Sequence, residues 1–369
     1  MNTERMVSEF LEMVKTSSLS LKEGSFAALL SEKLGAMGFE VYIDKAGELS
    51  GGNTGNVLGR LKGTLDNQPV LLCAHMDTVV PGENIKPEIR DGVIYSDGTT
   101  ILGGDDKAGI AAILEAVRYL KENGIPHGDI EVAFTIAEES GMYGAKNLDY
   151  GWLKSKLAFV LDSGGNVGTV ITQAPAQYKI YTTIRGKAAH AGVAPENGIS
   201  AIQVAARAVD KMKLLRIDQE TTANIGSITG GGPTNIVCDR VELAMEARSL
   251  VMSKLEAQVK HMLECIDSAC TEFGAEHDTR HLLSYPEVNL PSDAEVVKLA
   301  VAAAKRIGVE PCLKSTGGGS DTNVMNGKGL KAVTLGIGMS NVHTTSEYIA
   351  ISDIEKTAEL VAAIMQEVR

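Results

Sequence analysis

Hydrophobic positions along this chain recur at helical spacing in some stretches and form alternating or unbroken runs in others. Met6, Val7, Phe10, Leu11 and Val14 make the first helical stripe, with Asn2 or Thr3 placed to cap it. A second stripe follows Ser20, through Phe26, Leu29, Leu30, Leu34 and Met37, and runs out between Gly35 and Gly38. Residues 39–43 then alternate as a strand does, and 56–61 read as another. The run 70–74 is continuously apolar, the mark of a strand covered on both faces, and 130–137 and 157–161 have the same character. Between them, Gly104 and Asp105 open a helix carried by Ile110, Ile113, Leu114, Val117 and Leu120, with Gly124 placed to end it. Strands alternating with helices predict an α/β domain with a mainly parallel sheet and flanking helices.

The texture changes near Pro175. Residues 178–184 alternate polar and apolar, as suits a sheet with one wet face. A helix over about 200–213, strands near 223–228 and 240–247, a helix over 254–273 and a strand near 280–288 follow. Strand-helix-strand-strand-helix-strand is the order of a ferredoxin-like α+β sandwich. Amphipathic helix returns at 293–307 and an apolar strand at 331–336. The simplest division assigns residues 1–175 and 291–369 to one domain and inserts 176–290 as a second.

Composition narrows the class. A formal charge of −12 argues against nucleic acid or an anionic membrane as the main partner, since both want clustered Lys and Arg. Five cysteines lie scattered without CxxC spacing, which reads as a reducing compartment. The polar amino terminus does not resemble a signal peptide, and no apolar run approaches the roughly 18 residues that span a bilayer. The expectation is a soluble, cytoplasmic protein.

The chemistry begins where the run 130–137 stops at Glu138 and Glu139. Two adjacent carboxylates in a cleft raise each other's pKa, and a divalent cation removes that conflict. Four further places share the same description: His75 with Asp77, Asp105 with Asp106, Asp162, and His343. Each follows a predicted sheet strand or opens a helix, where ligands converge in open α/β sheets. Singly, each has a bland reading. A histidine after a strand is usually structural, Asp105 and Asp106 complement a helix N-terminus, and Asp162-Ser163-Gly164-Gly165 is an ordinary turn. Jointly, two imidazoles and several carboxylates make a ligand set suited to zinc, with manganese or cobalt tolerated. Spacing alone leaves open which glutamate binds metal and which handles a proton.

His75-Met76-Asp77-Thr78, Gly104-Asp105-Asp106-Lys107-Ala108-Gly109, Glu138-Glu139-Ser140-Gly141, Asp162 and His343 resemble, in family order, the dinuclear-zinc exopeptidases related to peptidase T (M20-type metallopeptidases). The similarity spans nearly the whole chain, inserted domain included. It implies a zinc-exopeptidase-like catalytic domain and an inserted lid that often mediates dimers. It further implies that Asp105 bridges two ions, that His75 and Asp162 complete one site and Glu139 and His343 the other, and that Glu138 is the general base. Asp77 would accept the second N–H of His75 and orient its ring. A cis peptide between Asp105 and Asp106 is implied as well.

In the inserted domain, His190 matches the family segment that reaches substrate or stabilises an oxyanion. Asn235 and Arg248 match positions that hold polar or carboxylate groups of the substrate, and Gly317-Gly318-Gly319 resembles a substrate loop. The structural alternatives are plain: Asn235 capping a turn, Arg248 pairing with a local acid. The expected activity is two-metal hydrolysis of a peptide bond in short peptides, most simply an aminopeptidase acting on tripeptides. An N-acyl-amino-acid deacylase or carboxypeptidase would use the same centre, and a non-catalytic peptide-binding relative is the reading from another class.

Overall fold

The computed structural model describes residues 1–368 and divides into two compact units. One gathers Met1–Thr172, Leu290–Ser315 and the chain from Ser320 onward; the other gathers Gln173–Asn289 with Thr316–Gly319.

The first unit is built on one sheet, in the order Glu40–Ile43, Val57–Leu61, Ile130–Thr135, Val70–His75, Leu157–Ser163, Lys331–Gly336 and Thr169–Ala174. Ile130–Thr135, Val70–His75, Leu157–Ser163 and Lys331–Gly336 run parallel, while the strands outside them pair antiparallel. The unbroken apolar runs are explained by burial on both sides. Along Val70–His75, Leu72 and Ala74 point into one hydrophobic cluster while Leu71 and Cys73 point into another. Helices Thr3–Lys15, Gly24–Ala36, Gly104–Glu122, Glu295–Arg306 and Ile351–Glu367 contribute to the larger cluster. The last of these is buried continuously from Leu360 to Met365, while Ser352, Asp353, Glu355, Lys356 and Glu359 line its more open side.

Asn2 is the residue that caps the first helix, its side chain accepting from Arg5 N at 3.0 Å. The second helix begins at Gly24 rather than directly after Ser20, and Glu23 before it makes no cap bond. Its carboxylate is committed elsewhere.

In the second unit, Ala176–Arg185, Thr221–Gly230, Arg240–Ser249 and Glu276–Tyr285 form an antiparallel sheet extended by the short Leu215–Arg216. With helices Ala201–Lys211 and Met252–Phe273 this is the expected ferredoxin-like order. Val241, Leu243, Met245 and Ala247 face the helix-side core at strand period, together with Ile180 and Ile184. The final strand starts at Glu276, four positions before the pattern suggests, because it is an edge strand whose early residues are mostly polar and exposed. No described helix is long and apolar enough to cross a membrane.

Because the four inner strands of the first unit are parallel, their carboxy-terminal ends lie at one edge of the sheet. His75 ends one strand, Asp162 lies near the end of another, and Glu138 and Glu139 follow a third. The fourth, Lys331–Gly336, leads into the loop that carries His343 and returns as Tyr348–Ala350. That short strand pairs with Val93–Tyr95, which in turn pairs with Glu88–Arg90.

Candidate metal centre

Asp105 stands at the head of the helix Gly104–Glu122, where it and Asp106 have non-helical backbone angles and are joined by a cis peptide. Its carboxylate divides its two oxygens. Oδ1 lies 3.1 Å from His75 Nε2, and Oδ2 lies 3.2 Å from His343 Nε2. Asp162 Oδ1 is 3.9 Å from the same nitrogen of His75, and Glu139 Oε1 is 2.7 Å from that of His343. Two donor groups result, His75–Asp105–Asp162 and Asp105–Glu139–His343, each with its ligand atoms within 4.8 Å of one another. They share Asp105. The two differ in access, for His75 is 2% exposed and His343 50%.

The donor set fits divalent cations. Burial opposes ionisation of Asp105, but hydrogen bonds from His343 and His75 outweigh it and hold this carboxyl below the usual range. His343 is pushed up to about 10 by its bonds to Asp105 and Glu139. Burial disfavours a charged His75, yet Asp105 and Asp77 raise it well above its ordinary value. Asp162 is raised by burial and by the charges of Asp105 and Glu139. Carboxylates gathered this tightly require positive charge between them. The imidazole nitrogens of His75 and His343 face the same oxygens, so a divalent cation can share both kinds of donor.

Glu138 offers no atom to either donor group. It is buried, and burial followed by the charges of Asp162 and Asp321 lifts its carboxyl well above the ordinary value.

The placement of the glutamate pair has a structural cause. Four consecutive main-chain N–H groups are accepted by side chains from three distant segments. Asn56 Oδ1 takes Ile136 N at 3.0 Å and Glu23 Oε1 takes Ala137 N at 2.9 Å. Asp77 takes Glu138 N at 2.8 Å and Glu139 N at 3.2 Å. Asn56 also donates to Asp44 Oδ2 and to Gly144 O. The backbone turns sharply here, with Ala137 at φ 47°, and these acceptors satisfy amides that have no strand partner.

Asp77 faces His75 Nδ1 with two groups. The nearest acceptor to His75 Nδ1 is the main-chain oxygen of Asp77, at 2.8 Å, whereas the carboxylate stands at 3.5 Å. With only Met76 between them, the chain curls so that its own carbonyl also orients the ring, and the carboxylate accepts in addition from the glutamate amides and from Ser20 Oγ at 2.5 Å. Asp106 Oδ2 accepts from His75 N at 3.2 Å. Asp321, buried beneath the strand ends, accepts from Thr135 Oγ1 at 2.6 Å, and burial pushes its carboxyl up to about 6.

The remaining candidates lie in the second unit. His190 forms an isolated bridge with Ile236, and Ala191 N donates to Asn235 O at 2.9 Å, so the segments of His190 and Asn235 are neighbours. His190 is exposed, and its Nδ1 accepts from Gly192 N at 3.1 Å. Arg248 is paired with Glu246 through Nε at 2.8 Å and a second bond at 3.1 Å, the local pairing that its sequence context permits.

These ligand-type residues gather beside the carboxy-terminal edge of a mainly parallel sheet, and the chain belongs to peptidase family M20/M25/M40, whose model matches residues 71–367. It is a metallopeptidase of the peptidase T type. Among individual proteins, it is 45% identical over 366 residues to the uncharacterised protein YqjE of Bacillus subtilis (strain 168), covering 99% of each chain. The crystal structure of aminopeptidase PepT from Bacillus cereus ATCC 10987 superposes with a TM-score of 0.91 at 48% identity, over 100% of this chain and 99% of that one. A tripeptidase from Staphylococcus aureus subsp. aureus Mu50 superposes with a TM-score of 0.94 at 40% identity, over 99% and 98%.

Proposed function

We propose that this enzyme is a two-metal exopeptidase that removes the amino-terminal residue from tripeptides and similar short peptides. The observation carrying this reading is the division of one carboxylate, Asp105, between two donor groups. Similarity to an aminopeptidase and to a tripeptidase supports the substrate class. His75, Asp105 and Asp162 would hold one divalent ion and Asp105, Glu139 and His343 the other, with zinc the best match to a mixed nitrogen and oxygen set. Such ions supply Lewis acidity toward water and the scissile carbonyl.

The chain's own groups do the rest. Glu138, buried and without a place in either donor group, takes the proton of the attacking water and returns it to the leaving amine. Its raised pKa is the direction that a base working near neutral pH requires. Asp77 fixes the amides of Glu138 and Glu139 and so keeps base and ligand on separate sides of the turn. His190 and Asn235 serve the substrate's polar groups and oxyanion. Arg248 serves its carboxylate in exchange for Glu246, and the inserted unit acts as a lid through which two copies dimerise. Five free thiols fit a cytoplasmic setting.

The deciding experiment measures hydrolysis of di-, tri- and tetrapeptides with free and blocked termini, before and after chelation and with zinc or manganese restored. Loss of cleavage on blocking the amino terminus supports the proposal. Dependence on a free carboxyl terminus alone, or cleavage of acyl amino acids instead, would move the enzyme to the carboxypeptidases or deacylases. A metal-loaded protein inert on all of these would be a binding protein.

A further inference from the structure

Glu347 is 1% exposed, and its carboxylate accepts three main-chain N–H groups from a segment 242 to 245 positions away. Oε2 accepts from Leu102 and Gly103, each at 2.8 Å, and Oε1 accepts from Asp105 at 3.0 Å. The same residue belongs to the loop that presents His343. Ser340 and Tyr348 exchange main-chain hydrogen bonds at 3.1 Å and close that loop, and Glu347 N donates to Thr344 O inside it. From Asn341 to Ser346 every residue but Val342 is exposed. Besides the contacts of His343 with Asp105 and Glu139, the packing of Val342 against the core and a long 3.4 Å bond from Ser96 Oγ to Thr345 O, the loop is tied to the unit through Glu347. The loop thus holds an exposed ligand-type histidine, whose φ is 63°, and a buried anchor four residues on.

We infer that Glu347 is a positioning residue of the metal centre: by holding the main chain of Leu102, Gly103 and Asp105 from within the His343 loop, it sets the separation of Asp105 and His343. The inference rests on the two-metal reading. The physical argument is one of geometry. A carboxylate that accepts three N–H bonds makes stronger bonds than a neutral acceptor does, and it joins two segments that otherwise meet only at the ligand atoms. Glutamine in its place turns one acceptor oxygen into a donor and sets it against a main-chain N–H. Gly104 offers a milder perturbation, because a Cβ there would come within 3.1 Å of Glu347 Oε1 and press the carboxylate aside by a few tenths of an ångström.

The test is made on metal-free protein, titrated with zinc against a competing chelator and, separately, with cobalt(II) followed by its visible absorption. Wild type is expected to take up two ions. Glu347→Gln keeps the first near wild-type affinity and loosens the second by about 10- to 100-fold, the range typical of groups that orient ligands, with an altered cobalt spectrum for that ion. His343→Ala weakens the same ion, and Gly104→Ala weakens it to a smaller degree. A folded Glu347→Gln protein with two wild-type affinities and an unchanged cobalt spectrum overturns the inference. So does equal loosening of both ions with a lowered thermal midpoint of the metal-free protein, which would mark a merely structural role. If Glu347→Gln does not fold, Gly104→Ala decides, and unchanged binding there overturns it equally. A wild-type protein that binds no ion would instead sink the metal-centre reading, and this inference with it.

Discussion

His343 Nε2 lies 2.7 Å from Glu139 Oε1, although 204 positions separate them in the chain. The histidine comes from an exposed loop and the glutamate from the turn after a buried strand, so a sheet edge brings them together. Replacing His343 with alanine removes one of three donors from a group that also uses Asp105 and Glu139. The expected result is a fall from two bound zinc ions per chain toward one, read by elemental analysis after dialysis. Unchanged stoichiometry would take His343 off the ligand set.

Glu138 is the complementary case. Glu138→Gln keeps the shape of the side chain and touches no donor group, so metal content should stay at the wild-type level. Turnover should fall by about 10²- to 10⁴-fold, the range associated with a lost general base. Rates within a few-fold of wild type, at full metal content, would reassign the proton transfer.

Glu23 gives a prediction in pH. It is fully buried, Oε1 accepts from Leu21 N and Ala137 N, and Oε2 has no partner. Burial, with the charge of Asp77, pushes its carboxyl from 4.5 up to about 7. A folded value above the unfolded one means that the native chain holds this proton more tightly. Stability therefore falls as pH rises from about 4.5 toward 7. At about 1.4 kcal/mol per unit the full loss is about 3 kcal/mol. Glu23→Gln retains Oε1 and cannot ionise, so it should escape this loss. Thermal midpoints of the metal-free proteins at pH 5 and pH 8 test it: the variant should gain on wild type as pH rises, and parallel curves would refute the assignment.

Asn56 is the fourth case, with three buried partners on three segments: Ile136 N, Asp44 Oδ2 and Gly144 O. Alanine leaves Ile136 N and Gly144 O without it, while Asp44 Oδ2 keeps the N–H of Asp149, and unsatisfied buried groups cost about 1–3 kcal/mol each. A loss of at least about 2 kcal/mol is expected, seen as a lowered urea midpoint. A midpoint within error of wild type would show that other groups or water replace the amide.

These cases also show where sequence reading reached and where it stopped. His75, Asp105, Glu138, Glu139, Asp162 and His343 could be singled out because each follows a predicted strand or opens a helix, and because their motifs come in the order of a known family. The alternating strands from 178 onward disclosed a second unit for a similar reason, since period-2 burial leaves a local trace. Glu23, Asn56 and Glu347 left none. Their neighbours look like a helix start, a strand start and a loop end, and the partners that tie them to the site lie 80, 114 and up to 245 positions away. Asp77 was legible as a group beside His75, whereas its bonds to the amides of Glu138 and Glu139 left no trace, because they depend on how the chain turns after a distant strand.

The unequal exposure of the two imidazoles bears on how the centre would lose its ions. A donor group that includes a 2% exposed histidine must open before solvent or a chelator can reach an ion within it, whereas one that includes a half-exposed histidine on a surface loop need not. Demetallation should then run in two phases. The faster would empty the His343 side, and the slower would be limited by breathing of the strand ends around His75. A partly stripped preparation would consist mainly of one species, singly loaded at the buried position, rather than a statistical mixture.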